Sequence, residues 1–224
     1  MAERIALTTA DGVNLIGTWS HAPTVHGAAV LLHAMPETRA SWITLQAVLA
    51  KHEIASLAID LRGHGESIQT VEGEKLDYRS FTDEEHQGSL WDVMAAVEWV
   101  RKRGLDRERI VLGGASIGAN LAVKMLAEEP LLAGAFLLSS GGDYHGLKVL
   151  EDAQALLPEQ QLLIVSAEDD PQSFPDSKKL YESAPVEQKQ FLPYAAGGHG
   201  THLLKADPSL IEKIAGWTKN AIRG

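Results

Sequence analysis

The pentapeptide Gly114-Ala115-Ser116-Ile117-Gly118 has the residue types and spacing of a serine hydroxyl presented on a tight turn. An apolar run, 109–113, precedes it, and a helix-compatible run, 119–126, follows it. A strand-to-helix turn of this kind brings together the residues two before and two after the serine, and glycine at both places removes the clash. We therefore predict that Ser116 is a nucleophile, which requires an adjacent general base because a free serine hydroxyl is unreactive.

Four histidines compete for the role of that base. His199 follows a poorer predicted strand, 189–194, and the glycines around it suit a loop that delivers an imidazole to the serine. An imidazole titrates near neutral pH, as a general base requires. We expect His202, about a turn later, to face solvent or the next helix, and we expect His33 and His64 to be hydrogen-bonding struts. His199 is therefore the predicted base.

The acid that would orient His199 comes from the turn after a strand predicted over 161–165. Two adjacent carboxylates, Asp169 and Asp170, stand before Pro171 in this turn. Proline disfavours the helical region for the residue before it, which here is Asp170. The side chain of Asp170 is therefore less free to cap the next helix and more able to reach the histidine. We predict Asp170 as the orienting acid, with Asp169 as a close competitor. The chain order is then serine, acid, histidine.

The composition excludes several other classes of site. The chain of 224 residues has a formal net charge of −10 and a sequence pI of about 5.3, which argues against nucleic acid and anionic membrane as partners. It contains no cysteine, so disulfides, a thiolate nucleophile and cysteine-based metal sites are excluded. We expect no metal, because no fixed spacing of ligands is present. The first residues do not resemble a signal peptide, and the expected location is cytoplasmic.

Predicted strands and helices alternate along most of the chain. Met1 to about Trp19 has the pattern of two short strands around the turn Ala10-Asp11-Gly12. The later strands are short and continuously apolar, which indicates a mostly parallel sheet with helices on both faces. We expect a single domain, 1–224. The later predicted strands are 28–33, 55–60, 109–113, 133–138, 161–165 and 189–194, and the predicted helices are 41–51, 90–100, 119–126, 147–157 and a last helix starting at 207–208.

Further motifs complete the pattern of a known family. They are His33-Ala34-Met35-Pro36 with Trp42 downstream, Asp60-Leu61-Arg62-Gly63-His64-Gly65-Glu66-Ser67, Asp169-Asp170-Pro171 and Gly198-His199-Gly200. With the serine pentapeptide, they make the chain resemble the α/β-hydrolase family over essentially its whole length. One departure is Ala34, where the family usually has glycine. The resemblance implies an α/β fold with a mostly parallel central sheet of about eight strands and helices on both faces.

The resemblance is to the small members of the family that have no helical cap. About twenty residues separate Ser139 from the next predicted strand, where many relatives insert such a cap. The small members include short-chain carboxylesterases, feruloyl-type esterases and thioesterases. Dienelactone hydrolases typically use a cysteine nucleophile, which this chain lacks. The resemblance therefore implies a serine hydrolase of short-chain carboxylic esters, acting on a small-molecule ester without a cofactor.

The resemblance also assigns an oxyanion hole to two backbone N–H groups. One belongs to Ile117, directly after the nucleophile, and the other to Met35, in the loop after the third strand. The Met35 side chain would line the pocket, with Trp91 and Tyr144 as weaker candidates. A thioesterase or a peptidase of small amides would share the same triad, and a ligand-binding relative without turnover is a third alternative.

Overall fold

A mixed sheet forms the centre of the structure, a computed structural model that describes residues 2–223. Its strands are β1 (Ala2–Thr8), β2 (Val13–Ser20), β3 (Gly27–Leu32), β4 (Ile54–Ile59), β5 (Gln69–Thr70), β6 (Ile110–Ala115), β7 (Gly134–Leu138), β8 (Gln161–Ala167) and β9 (Gln188–Tyr194). They are ordered β1-β2-β4-β3-β6-β7-β8-β9, with β5 paired to β2. From β4 to β9 along this order every pairing is parallel, whereas β1 and β2 pair antiparallel.

Helices cover both faces of this sheet. They are α1 (Ile43–Lys51), α2 (Asp83–Gln87), α3 (Leu90–Arg101), α4 (Ile117–Glu128), α5 (Val149–Ala153), α6 (Phe174–Ser183), α7 (His202–Ala206) and α8 (Ser209–Arg223). Side chains of α3 to α6 share a buried cluster with one face of the sheet, and those of α1, α7 and α8 share a second cluster with the other face. Along β3, Ala28, Val30 and Leu32 belong to the first cluster, while Ala29 and Leu31 belong to the second. This period of two explains why the parallel strands are apolar throughout.

A row of aromatic side chains packs beneath the end of β6. The Phe136 ring lies between Trp42 and Trp217, with ring centroids 6.0 and 6.4 Å away in edge-to-face arrangements. The same ring occupies the space that a side chain at Gly113 would need, because a Cβ there would lie 2.0 Å from Cζ of Phe136. Glycine at position 113 therefore lets β6 and the aromatic row come into contact.

The predicted strands are present, with ends that differ by one or two residues, and the poorer one, β9, lies at the sheet edge. Four helices differ from the prediction. The helix expected over 147–157 is confined to Val149–Ala153. The helices α2, α6 and α7 were not predicted; α6 is mostly polar and buries only Ser177 and Leu180.

The last helix begins where the sequence predicts. Both the N–H and the hydroxyl of Ser209 donate to Asp207 Oδ1, at 2.9 and 2.6 Å. This is the pattern of an acidic residue that satisfies the free N–H groups of a helix start. The buried face of this helix includes Leu210, Ile211, Ile214 and Trp217.

The connection between β7 and β8 is short. Within it, the structure has the single helix α5 and no inserted cap. Met1 and Gly224, the two ends of the expected domain 1–224, lie outside the described residues. No helix within residues 2–223 is long and apolar enough to cross a membrane.

Candidate active site

Ser116 occupies the turn between β6 and α4 in an unusual backbone conformation. Its φ and ψ are 55° and −122°, a combination that residues with a side chain rarely adopt. Such a conformation costs on the order of 1–3 kcal/mol, and the surrounding structure must hold it in place. The Ser116 N–H donates to Leu138 O at 2.9 Å, and Ser116 O accepts from the Ala119 N–H at 2.8 Å. The residue is thus fixed from the sheet and from the helix.

Backbone contacts account for both glycines of the pentapeptide. A Cβ on Gly114 would lie 2.1 Å from Gly118 O, so the two glycines touch each other as the motif predicts. A Cβ on Gly118 would lie 2.4 Å from Leu32 O and 2.8 Å from His33 O. Helix α4 therefore begins against the end of β3, which brings Ser116 next to the loop that carries Met35.

Asp170 and His199 form a short hydrogen bond. The Nδ1 atom of His199 lies 2.7 Å from Asp170 Oδ2, and Asp170 is 7% exposed. Asp169 has a different set of partners, because its carboxylate accepts from the N–H groups of Gly197 and Gly198 at 3.0 to 3.2 Å. One aspartate thus contacts the imidazole, and its neighbour fixes the loop that carries it.

The structure adds Ser173, which the sequence analysis did not identify. Its hydroxyl lies 3.3 Å from His199 Nδ1 and 3.0 Å from the hydroxyl of Tyr144. Ser173 is fully buried and contacts the nitrogen that Asp170 already occupies. A nucleophile must meet substrate and the opposite ring nitrogen, so this serine suits a supporting contact. No sequence motif marks it, since it precedes a mostly polar helix that the sequence does not predict.

Three contacts bring the histidine loop to the serine turn. A Cβ on Gly200 would lie 3.6 Å from the Cβ atoms of both Ala34 and Ala115. The Gly200 N–H donates to Ser139 Oγ at 2.9 Å, and Ser139 follows the strand next to β6. The residue after His199 therefore packs against the residue before Ser116 and against the loop after β3.

The two expected oxyanion donors are free of protein acceptors. Within residues 2–223, neither the Met35 N–H nor the Ile117 N–H donates a hydrogen bond to the protein. Buried backbone N–H groups are nearly always paired, so two free donors at one place can serve a ligand. Ala34 is accommodated where the family usually has glycine, and its carbonyl accepts from the Glu37 N–H at 2.8 Å.

His33 and His64 are struts, as expected. The Nδ1 of His33 donates to Ala34 O at 2.9 Å, and its Nε2 accepts from the Leu61 N–H at 3.0 Å, which ties the ends of β3 and β4 together. Complete burial lowers the pKa of His33 to about 3, so the ring is neutral. His64 stacks on Tyr78 at 3.9 Å, and burial lowers its pKa as well.

The family motif over residues 60–67 also has a structural role. Asp60 is fully buried and accepts from the N–H groups of Arg39 and Glu66 at 2.8 and 2.9 Å. A Cβ on Gly65 would lie 2.2 Å from Asp60 Oδ2, so glycine is required there. The hydroxyl of Ser67 donates to Asp60 O at 2.7 Å. The motif therefore closes a rigid loop beside the loop that follows β3.

A cleft of about 560 Å³ opens between the loop after β3 and residues 63–80, and its lining includes neither Ser116 nor His199. It is lined by Pro36 and Thr38 on one side and by His64, Leu76 and Tyr78 on the other. Its volume lies in the usual range for small-molecule sites. Since Pro36 follows Met35 directly, the cleft begins next to one of the two free amides.

The aromatic residues expected near the pocket differ in their surroundings. Tyr144 is half-buried, and its ring centroid lies 6.5 Å from that of His199. Trp91 is 43% exposed on α3 and makes no ring contact with the residues that the structure describes. His202 is exposed at the start of α7, as the sequence analysis expected.

Comparison with known proteins identifies the family. A family model described as the alpha/beta hydrolase fold matches residues 28–159, whereas no curated protein matches the chain in sequence. An esterase of Pyrococcus furiosus superposes with a TM-score of 0.81 at 18% identity, covering 100% of this chain and 91% of that chain. The alpha/beta hydrolase GrgF of a Penicillium species gives 0.79 at 15% identity, with 100% of both chains covered.

A third similar structure is the esterase domain of a Rhodothermus marinus protein, with a TM-score of 0.74 at 12% identity and 99% of both chains covered. Identities this low show a shared fold and leave the substrate open. The match over residues 28–159 covers more than half of the chain, and the strand order and the serine turn agree with it. The chain belongs to the α/β-hydrolase family.

Proposed function

We propose that the protein is a serine hydrolase of short-chain carboxylic esters. Ser116 is the nucleophile, His199 the general base and Asp170 the orienting acid. The observation that carries the proposal is the backbone of Ser116, whose φ of 55° at a strand-to-helix turn would be costly without a reason. Strain of this kind clusters at functional sites, and here it falls on the only hydroxyl residue of the G-x-S-x-G motif.

The hydrogen bond from His199 to Asp170 sets the chemistry of the imidazole. An ionised carboxylate only accepts, so the proton of the neutral ring resides on Nδ1. The lone pair then lies on Nε2, the nitrogen that would take the proton of Ser116. In the proposed reaction this proton passes to the leaving alcohol, and water attacks the acyl-enzyme in the same way.

The free amides of Met35 and Ile117 support stabilisation of the oxyanion. They follow the adjacent strands β3 and β6, and Gly118 packs on the carbonyl groups at the end of β3. Two preorganised N–H donors stabilise the negative charge that develops on the carbonyl oxygen, and removing one such donor typically costs a factor of roughly 10²–10³ in kcat.

The size of the site favours small substrates. The cleft of about 560 Å³ begins at Pro36 and receives one arm of the ester in this proposal. No cap covers the serine turn within the described chain, so little apolar surface is available to a long acyl chain. Each buried methylene contributes only about 0.8 kcal/mol even when it is fully covered. The names of two similar structures, both esterases, point the same way.

The test compares hydrolysis of para-nitrophenyl butyrate by the wild type and by Ser116→Ala. We expect kcat to fall by a factor of roughly 10³ or more, since members of a triad act as a unit. Ser183→Ala, which alters an exposed serine on α6, is the matched control and should retain activity. Labelling by a fluorophosphonate should require Ser116. Undiminished turnover in a folded Ser116→Ala protein would contradict the mechanism.

The same assay separates the alternative substrates. A butyryl ester, a butyryl thioester and a butyramide with leaving groups of similar size should be compared by kcat/KM. We expect the ester to have the highest value. A higher value for the thioester would make the protein a thioesterase, and a fluorophosphonate that fails to label Ser116 would favour a binding protein without turnover.

A further inference from the structure

Two loops that are far apart in sequence are joined by one side-chain contact. The hydroxyl of Thr201 lies 2.8 Å from both carboxylate oxygens of Glu37, across 164 positions of the chain. Thr201 is 1% exposed and Glu37 is half-buried, so the contact is partly sheltered from water. Hydrogen bonds to an ionised acceptor are stronger than neutral ones, and shielding from water strengthens them further.

Each end of this contact is rigidly attached to a group that the proposed mechanism uses. The Glu37 N–H donates to Ala34 O at 2.8 Å and closes the turn that contains Met35. Thr201 follows His199 by two residues, and the next N–H, that of His202, donates back to His199 O at 3.2 Å. The contact therefore spans from the turn of one oxyanion amide to the turn of the base.

The surroundings of Glu37 indicate a positional role for this carboxylate. Within residues 2–223, Glu37 makes no ion pair, and Thr201 is its only side-chain partner. The same two loops also meet through backbone, where the Cβ position of Gly200 lies 3.6 Å from Ala34. The hydroxyl donates its single proton to either oxygen, so the contact can persist if one oxygen is replaced by an amide nitrogen.

We propose that Glu37 and Thr201 are positioning residues that fix the oxyanion loop relative to the catalytic histidine. This inference rests on the proposed function and goes beyond it, because neither residue would touch the substrate. Loosening the contact lets the Met35 amide and His199 move independently. Displacements of about 1 Å in a catalytic arrangement can cost a factor of up to roughly 10² in rate.

The test uses variants that delete or keep the hydrogen bond. With para-nitrophenyl butyrate, Thr201→Val and Glu37→Ala should each lower kcat about tenfold with little change in KM. Thr201→Ser and Glu37→Gln, which keep a donor and an acceptor, should stay within about threefold of the wild type. The double variant Glu37→Ala/Thr201→Val should be no slower than the slower single variant, because both changes remove the same contact.

A matched control separates positioning from loss of stability. Thr218 is also a fully buried threonine, and its hydroxyl donates to Ile214 O at 2.8 Å within α8. Thr218→Val should lower the thermal midpoint as Thr201→Val does and leave kcat unchanged. An equal loss of kcat in Thr218→Val, or additive losses in the double variant, would overturn the inference.

The outcomes also distinguish this inference from the proposed function. If wild-type hydrolysis depends on Ser116 while Thr201→Val and Glu37→Ala retain full kcat, the positioning role fails and the esterase mechanism stands. If the wild type neither hydrolyses the ester nor reacts with the fluorophosphonate, both fail together.

Discussion

The serine turn and the acid–base pair are held in place by different forces. At the serine turn, backbone atoms are in contact, and a Cβ on Gly114 or Gly118 would lie within 2.4 Å of a neighbouring carbonyl oxygen. At the acid–base pair, side-chain hydrogen bonds to Asp170 and Ser173 hold the imidazole of His199. Where backbone atoms touch, almost any side chain in place of glycine would clash. A side-chain hydrogen bond, in contrast, can be removed by a substitution that changes a single atom. The two regions should therefore respond differently to substitution.

The largest expected effect comes from breaking the side-chain bond. Asp170→Asn should lower kcat by about three to four orders of magnitude, because an amide next to Nδ1 favours the wrong imidazole tautomer. Asp169→Asn, the matched control one residue away, should cost about tenfold or less, as its carboxylate accepts from the N–H groups of Gly197 and Gly198 and makes no hydrogen bond to His199. The measurement is kcat for both variants on one ester, with circular dichroism as the check of folding. The reverse ranking would show that Asp169 is the acid.

The second effect tests the backbone contact. Gly118→Ala should lower the free energy of unfolding by about 2 kcal/mol and reduce kcat, because its Cβ would press on the carbonyl groups of Leu32 and His33. Gly216→Ala is the matched control, since a Cβ there meets no atom within 4 Å in helix α8. It should raise the free energy of unfolding by about 0.5–1 kcal/mol. Urea denaturation measures both, and equal stability of the two variants would contradict the proposed contact.

The third effect concerns His33, whose carbonyl touches the serine turn and whose ring ties β3 to β4. Its pKa is lowered from 6.5 to about 3 by burial. Between these two pH values the ring is protonated in the unfolded chain and neutral in the folded chain. This contribution to stability is complete above pH 6.5 and is lost progressively as the pH falls towards 3. The expected slope is up to about 1.4 kcal/mol per pH unit.

The His33→Gln variant removes this titration. Its free energy of unfolding should therefore vary less steeply with pH than that of the wild type. Between pH 6 and pH 4.5 the wild type should take up as much as one more proton on unfolding than the variant does. His86, whose pKa is also lowered, remains in both proteins, whereas His64 lies 4.9 Å from His33 and contributes to the lowered pKa of that ring, so the variant tests the two rings together. Parallel stability curves for the two proteins would show that His33 is not held neutral.

The sequence predicts the fold far better than it predicts the contacts of the site. Strands such as β3 and β4 are buried on both faces and therefore continuously apolar, which makes them recognisable without a structure. Helix α6 escapes prediction, because it is mostly polar and buries only Ser177 and Leu180.

The site divides in the same way. The glycines around Ser116 follow from the geometry of one turn, so their spacing is visible in the chain. The contact between Glu37 and Thr201 joins loops 164 positions apart, and Ser173 meets His199 across 26 positions. Neither spacing is set by local structure, so no sequence pattern could indicate these contacts. The roles of Ser116, Asp170 and His199, and of the Met35 and Ile117 amides, stay predictions until the variants are measured.

The packing of the Phe136 ring on Gly113 has an evolutionary consequence. A side chain at position 113 and an aromatic ring at position 136 compete for the same volume, since the Cβ of one would lie 2.0 Å from the other. Neither position can therefore change freely on its own. A descendant of this chain could acquire alanine or a larger residue at 113 only after the ring at 136 had been replaced by something smaller. Substitutions at positions 113 and 136 are therefore coupled. A smaller residue must replace Phe136 before a side chain can appear at position 113.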